Sequence, residues 1–464
     1  MAGQIPRTAV TAERAIQRCV MPGCGALFGL RERIYVCPRC SGPLEISLPL
    51  PSVGEAPALR ELWAGRAGTL DPRNRSGVWR YRELLPFDET APFVTLFEGN
   101  TPLYDAPRCA EYSGLASLRL KHQGCNPTGS FKDTGMTSAI TQAVILGART
   151  AVCASTGNTA ASLAAYAARA GLQAAILVPQ GQITAAKLAQ SMDYGATVCE
   201  LEGNFDDCMR LIQELGDDPS IYIANSINPF RVEGQKTAAF ELVQQCDWQP
   251  PDHVVVPGGN LGNCTAFGKG FEEMLQLGLI GRLPKISVIQ AAGSAPFARL
   301  FASLGSRVSS DDSRLPEAMA PVEHPQTLAT AIKIGAPVSW RKALGVVLRT
   351  HGQAIGVSEQ EIADAKAVIG RDGIGCEPAS ATTIAGIRKL VASGFIRREE
   401  SAIAVLTGHV LKDPDYVNHY HRGALTLDSD AGLLPIRGAF RNGPQRVAAT
   451  KQSILEILDR SRSR

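Results

Sequence analysis

The chain has 464 residues, 45% hydrophobic and 20% charged, with 47 Lys and Arg against 44 Asp and Glu for a formal net charge of +3. That length allows two to three folding units, the composition excludes a disordered chain, and so small a positive excess with no long basic run points away from nucleic acid. The first 15 residues carry Arg7, Glu13 and Arg14 but no apolar stretch, so they read as a mobile tail and not as a secretory signal.

Residues 16–48 form a Cys-, Pro- and Gly-rich unit. Cys19 and Cys24 make one close pair, Cys37 and Cys40 another, and 12 residues lie between the pairs. Two short-spaced thiolate pairs suit one tetrahedral Zn²⁺, and four thiolates leave no open position for chemistry, so such a metal is structural. The alternative is four free thiols. Gly25 and Gly42 follow the two knuckles, where left-handed backbone is expected. The other cysteines are scattered singly along a long chain, which fits reduced thiols and a cytoplasmic setting better than a disulfide scaffold. Residues 49–100 read as a linker and N-terminal arm with short helical pieces at 59–64 and 80–85.

From residue 101 onward, apolar runs alternate with helical stretches. The runs at 150–153, 174–178, 197–200, 221–224, 253–256, 285–290 and 401–406 suit buried parallel strands. Helices fall between them, as at 159–170, 185–194 and 205–214. This alternation predicts an α/β fold with mostly parallel sheets, and such sheets bind ligands at the carboxyl ends of their strands. The uncharged stretch 150–168 is long enough for a membrane span, but Ser155, Thr156, Gly157, Asn158, Thr159 and Ser162 make it strand, polar loop and helix. No membrane segment is expected.

Four loops in this pattern carry candidate chemistry. In the first, 126–133 with sequence NPTGSFKD, Lys132 stands at a helix entrance, where the positive end of the dipole disfavours its charged form. A neutral amine is what Schiff-base formation requires; the plain alternative is a solvated surface lysine. In the second, Ser155, Thr156, Gly157, Asn158 and Thr159 precede an Ala-rich helix, either as a simple cap or as an anion site built from free N–H groups. The third, Gly258 to Asn263, lets backbone approach a phosphate closely before a helix begins, but it is neither a dinucleotide nor a Walker motif. In the fourth, Thr407-Gly408-His409, a Thr hydroxyl can hydrogen-bond a pyridine nitrogen without protonating it.

Taken together and in order, these loops resemble the fold type II pyridoxal phosphate enzymes, the tryptophan synthase β-like group, and within them the threonine synthase family. The stretches that carry the resemblance are 126–133, CASTGNTAAS at 153–162, IANSINPFRVEGQ at 223–235, CEPASA at 376–381 and LTGHVLKDP at 406–414. The resemblance implies an α/β fold type II architecture with two parallel-sheet domains behind a small zinc-ribbon-like N-terminal unit. The large cofactor-binding domain would comprise 101–133 and 229–464, and the small mobile domain 134–228. It implies pyridoxal 5′-phosphate as cofactor, with Zn²⁺ as a structural metal. Lys132 would be the Schiff-base lysine and the acid/base at Cα. Asn158 would bond the phenolic oxygen, Gly259, Asn260, Leu261, Gly262 and Asn263 would cup the cofactor phosphate, and Thr407 would face the ring nitrogen. Ser155, Thr156 and Thr159 would hold the substrate carboxylate or its phosphate, and Asn225, Ser226 and Arg231 the phosphate of O-phosphohomoserine.

The implied activity is conversion of O-phospho-L-homoserine and water to L-threonine and phosphate, by a cytoplasmic enzyme whose partner is a small phosphoamino acid; a homodimer is compatible with this. Two positions depart from the common pattern, Thr134 where many relatives carry Arg and Val410 where many carry Gly. They leave room for a cysteate synthase-like β-replacement on O-phosphoserine. A threonine dehydratase-like lyase would share the fold but lack the phosphate site at Arg231, and a non-catalytic binding protein would not need Lys132.

Overall fold

The computed structural model describes residues 15–181, 185–305, 315–429 and 432–462; the expected tail, but for Ala15, lies outside the described residues. Two parallel sheets organise the chain. The larger has six strands in the order Ala354–Val357, Lys285–Ala291, His253–Pro257, Ala402–Leu406, Leu118–His122 and Leu103–Asp105. All neighbours in it run parallel except the last pair. The smaller has four parallel strands in the order Thr197–Leu201, Gln173–Pro179, Thr150–Ala154 and Ile221–Ile223. Each of the seven strands expected from apolar runs is present, with ends moved by one or two residues. Among the described residues no helix is long and apolar enough to cross a membrane.

The strand Leu118–His122 escaped the sequence pattern. Its residues include Arg119, Lys121 and His122, so no apolar run marks it, yet it lies between two other strands of the large sheet. It can be buried because Lys121 is met on every side. The fully buried amine contacts the Glu241 carboxylate and donates to Thr101 O at 2.7 Å and Gln245 Oε1 at 2.8 Å. Ala354–Val357 and Leu103–Asp105 were missed because they are short edge strands.

Two helices cross and bring Lys132 and Arg231 onto neighbouring elements. Lys132–Ile145 and Pro229–Gln245 meet at glycines. A Cβ on Gly234 would lie 1.9 Å from Thr134 O, and one on Gly135 would lie 2.9 Å from Arg231 O. No larger residue fits at such a crossing. Thr134, one of the two departures from the common pattern, is buried at this crossing and bonds Phe131 O at 2.8 Å. Val410, the other, packs where a Cβ on Gly375 would come within 2.8 Å of it.

The N-terminal unit is a three-stranded antiparallel sheet, Leu27–Gly29, Ile16–Cys19 and Leu44–Ser47. It reaches both halves of the molecule. Toward the large sheet, Lys269 donates to Ile46 O at 2.5 Å and Lys342 to Leu44 O at 3.0 Å. Toward the small sheet, the Tyr35 hydroxyl accepts from Ile223 N at 2.8 Å, and Tyr35 meets Tyr222 edge-on. The arm that follows holds a helix, Ala56–Ala67, and a 3₁₀ turn, Trp79–Leu84, which contain the two expected helical pieces but for Leu85. Trp79 donates to Thr137 at 2.8 Å, tying the arm to the lysine helix.

Lys121→Met is expected to cost about 3–5 kcal/mol, the usual consequence of leaving one member of a buried pair alone. Glu241→Leu is expected to cost more, because Glu241 also accepts from Asn100 N at 2.6 Å and Thr101 N at 2.8 Å. Urea unfolding tests both the size and the order. A loss of about 1 kcal/mol or less in either variant, the size of a surface pair, would contradict this account.

Candidate active site

The first candidate loop is built by its own polar residues. Asp133 is buried and accepts from Thr128 N at 2.7 Å, Thr128 Oγ1 at 2.6 Å and Ser162 Oγ at 2.6 Å. Asn126 accepts from Gly99 N at 2.8 Å and donates to Gln123 O at 2.6 Å. The loop is then zipped to the Thr407 segment: Phe131 N donates to Thr407 O and His409 N to Gly129 O, each at 2.9 Å. Lys132 is thereby fixed as the first residue of its helix, half-buried, with its amine 4.3 Å from the centre of the Phe131 ring.

Loss of water is the main reason the Lys132 amine is pushed down to about 7; the positive charge of Arg231 adds to this and Glu377 opposes it. The amine is therefore available in its neutral form near neutral pH. The helix entrance suggested by the sequence is present, but burial and Arg231 explain the shift.

Arg231 is the third residue of Pro229–Gln245 and only 2% exposed. Its Nη1 donates to Ala224 O at 3.1 Å, its Nε has no partner, and among the described residues no carboxylate pairs with it. Glu233, which a surface arginine would pair with, is instead bonded to Lys236 and Lys269. Burial pushes Arg231 down to about 10, so it remains charged at neutral pH. A buried, unmatched guanidinium is costly unless an anion meets it. Asn225 and Ser226 stand after Ile221–Ile223, at the carboxyl edge of the small sheet. The Asn225 amide is occupied in both directions by Ala154, accepting from N and donating to O at 3.1 Å each. Ser226 is half-buried.

The remaining candidates lie at helix starts. Asn158 and Thr159 open Asn158–Ala170, with Ser155, Thr156 and Gly157 half-buried in the turn before them; no side chain caps this helix. Gly259, Asn260, Leu261, Gly262 and Asn263 form the turn from strand His253–Pro257 into helix Gly262–Gln276. Leu261 takes left-handed backbone, φ +65°, which is strained for a leucine. A Cβ on Gly258 would lie 2.6 Å from Val288. This helix start is mostly buried and no side chain caps it. Among the described residues, Asn263 Oδ1 and Gln123 Nε2 are buried without partners. An uncapped, enclosed helix N-terminus with an unused amide donor, Gln123 Nε2, beside it suits a phosphate, so these residues fit the phosphate end of pyridoxal phosphate.

Glu377 was given no role in the sequence reading. It is 2% exposed and joins two candidates, accepting from Asn158 Nδ2 at 2.9 Å and from Thr407 Oγ1 at 2.9 Å. The only sequence signal was its place in CEPASA, since a single carboxylate before a Pro-initiated helix usually reads as a cap. His409 accepts from Leu411 N at 3.3 Å and caps a short turn.

The four N-terminal cysteines come together, as their spacing suggested. Their sulfurs all lie within 4.8 Å of one another, with Cys19–Cys40 at 3.4 Å and Cys24–Cys37 at 3.8 Å. Four sulfurs about 2.3 Å from a tetrahedral Zn²⁺ stand about 3.8 Å apart, so the cluster fits that ion. The backbone expectation needs one correction. Gly25 is left-handed (φ +54°), but at the second knuckle the left-handed residue is Ser41 (φ +56°), not Gly42. Gly42 is needed for space, because a Cβ there would meet Met21 at 2.1 Å and the Cys40 and Cys19 sulfurs at 3.2 and 3.3 Å.

The two parallel sheets define an α/β fold with a lysine of lowered basicity at a helix start, and comparison with known proteins identifies its class. Residues 94–408 match the family described as pyridoxal-phosphate dependent enzyme. The chain is 42% identical to threonine synthase of Methanocaldococcus jannaschii, covering 90% of this chain and 98% of that one. It is 44% identical to threonine synthase of Methanosarcina acetivorans, covering 85% and 92%. Among solved structures, the processed form of threonine deaminase isoform 2 from Solanum lycopersicum shares the fold, with a TM-score of 0.55 and 19% identity over 68% of this chain and 86% of that one. The chain belongs to the pyridoxal-phosphate dependent enzymes and, within them, to the threonine synthase family.

The Lys132 amine is expected to react with pyridoxal phosphate at a rate that rises with pH around a midpoint near 7, because the neutral fraction grows as pH passes its depressed value. Arg231→Gln should move that midpoint upward by removing a nearby positive charge. Absorbance of the apoprotein after mixing with cofactor measures both. Lys132→Ala should give no borohydride-stable adduct, and a midpoint near the ordinary lysine value of about 10 would contradict the burial argument.

Proposed function

We propose that this chain converts O-phospho-L-homoserine and water into L-threonine and phosphate. Arg231 carries this reading. It is a buried, uncompensated positive charge that lowers Lys132 through space, so an anionic group of the substrate belongs near it. A guanidinium fork suits phosphate oxygens. The name threonine synthase borne by the relatives supports the same substrate.

When bound, pyridoxal phosphate supplies an electron sink for negative charge developing at the substrate's Cα and Cβ. Lys132 would hold the cofactor through its amine, and the same neutral amine would take the proton from the substrate's Cα. The buried turn at Gly259, Asn260, Leu261, Gly262 and Asn263 would hold the cofactor phosphate, Asn158 would donate to the phenolic oxygen, and Thr407 would serve the ring nitrogen. The free N–H groups at Ser155, Thr156 and Thr159 take the substrate carboxylate. Arg231 would take the leaving phosphate, Ser226 would add a hydroxyl from the segment that precedes the Arg231 helix, and Asn225 holds the end of its strand against Ala154. The phosphate retained there would act as base toward the attacking water. Residues 134–228 act as the smaller unit that closes over the substrate and excludes bulk water, and 101–133 with 229–464 as the larger one. Gln190 supports closure, since it donates to Thr128 O at 3.2 Å and accepts from Lys412 at 2.6 Å. Cys19, Cys24, Cys37 and Cys40 hold one structural Zn²⁺.

Arg231→Leu is expected to cost about 2–5 kcal/mol of transition-state binding, a fall in kcat/KM for O-phosphohomoserine of roughly thirtyfold to several-thousandfold, while the cofactor spectrum stays unchanged. Loss of the spectrum would assign Arg231 to the cofactor instead. Assayed side by side, O-phosphohomoserine is expected to release phosphate and give threonine, and O-phosphoserine is not; turnover of O-phosphoserine alone would transfer the assignment to a β-replacement enzyme.

Metal analysis of freshly prepared protein is expected to find one zinc per chain. Cys37→Ser should increase hydrogen exchange across residues 16–47 and at Ile223, whose N–H is bonded to Tyr35. Zinc-free wild-type protein with unchanged exchange would remove the metal from this account.

A further inference from the structure

The hydroxyl protons around Thr407 can be counted. Ser380 Oγ accepts from Thr407 N at 2.8 Å and from Gly408 N at 3.2 Å. A hydroxyl has two acceptor positions and one proton. Both acceptor positions are filled, so the Ser380 proton points to the oxygen 3.1 Å away, Thr407 Oγ1. Thr407 therefore accepts from Ser380 and has one proton of its own to give. The acceptor in place is Glu377 Oε1, at 2.9 Å. A ring nitrogen facing Thr407 would need the same proton.

The carboxyl cannot move away to settle the competition. A Cβ on Gly408 would lie 2.2 Å from its Cδ, Glu377 N is tied to Gly408 O at 2.9 Å, and its second oxygen is held by Asn158 at 2.9 Å. What can change is its protonation. Loss of water pushes Glu377 above the usual carboxylate range. Its bonds to Asn158 and Thr407 oppose this, as do the positive charges facing it, Lys412 from the turn 410–412 and Lys132 from the start of its helix. The neighbouring thiol, Cys376, is pushed up to about 12 by burial and stays neutral.

We propose that Glu377 is a positioning residue that sets the direction of the Thr407 hydroxyl proton and so decides whether the cofactor's ring nitrogen receives a hydrogen bond. As the acid, Glu377 donates to the remaining acceptor position of Thr407, and Thr407 turns its proton to the ring. As the carboxylate, Glu377 takes the Thr407 proton, and the ring nitrogen loses its donor. One proton on Glu377 is the whole difference, and Asn158 stays bonded to the other oxygen in both forms. This rests on the reading that Thr407 faces the ring nitrogen.

The test is a pH titration of the visible spectrum and of cofactor affinity. Wild-type holoprotein should show one spectral transition above the usual carboxylate range, with the cofactor dissociation constant rising about tenfold on its alkaline side for the one hydrogen bond lost. Glu377→Gln, whose amide donates as the acid does, should lack the transition and keep the acid-side spectrum across that range, with only the pH dependence of affinity that belongs to the Lys132 amine. A Glu377→Gln protein that retains the transition, or is fixed in the alkaline form, overturns the proposal. Thr407→Val separates the two readings. If it leaves the wild-type titration unchanged, Thr407 does not face the ring; if it abolishes the titration while Glu377→Gln does not, only the role of Glu377 falls. Should Glu377→Gln not fold, the wild-type infrared spectrum decides. A carboxylic-acid carbonyl band that disappears across the same transition supports the proposal, and its absence on the acid side overturns it.

Discussion

The structure depends on how the helix Pro229–Gln245 carries charge into the interior. Arg231, Glu233, Lys236 and Glu241 are each 2% exposed or less, and a buried charge is tolerated only when it is met. Glu241 meets Lys121 and so admits a charged strand to the large sheet. Glu233 and Lys236 form a cluster with Lys269 and Glu273. Arg231 alone has only a backbone carbonyl. Three of the four charges are spent on the fold, and among the described residues the fourth is left without a countercharge.

The same helix links the Lys132 helix to the N-terminal unit. Lys269, bonded to Glu233, also donates to Ile46 O, and on the other side Tyr35 receives the N–H of Ile223 just before Asn225 and Ser226. The cysteine-rich unit thus touches both chain segments that lead to the proposed phosphate site. A compact cross-link of this size cannot build a large core of its own, and four clustered sulfurs offer another way to make it rigid.

The sequence carried much of this. Apolar runs marked seven buried strands because parallel strands covered on both faces tolerate few polar residues. Close cysteine pairs marked the thiolate cluster because knuckle geometry is local. The loops at Lys132, Asn158, Gly259 and Thr407 were legible because glycine, proline and helix starts leave a local signature at the ends of strands.

What the sequence could not determine was decided by contacts between distant segments. Leu118–His122 reads as polar until Glu241, 120 residues away, meets Lys121. The lowered basicity of Lys132 comes from loss of water and from Arg231 on the neighbouring helix, beyond the reach of a local helix argument. Glu377 gains its place only when helix Pro378–Ala392 sets it between Asn158 and Thr407. Backbone preference and hydrophobic period act over a few residues and can be read along the chain. Desolvation and charge pairing act through space, so they exist only once the chain has folded.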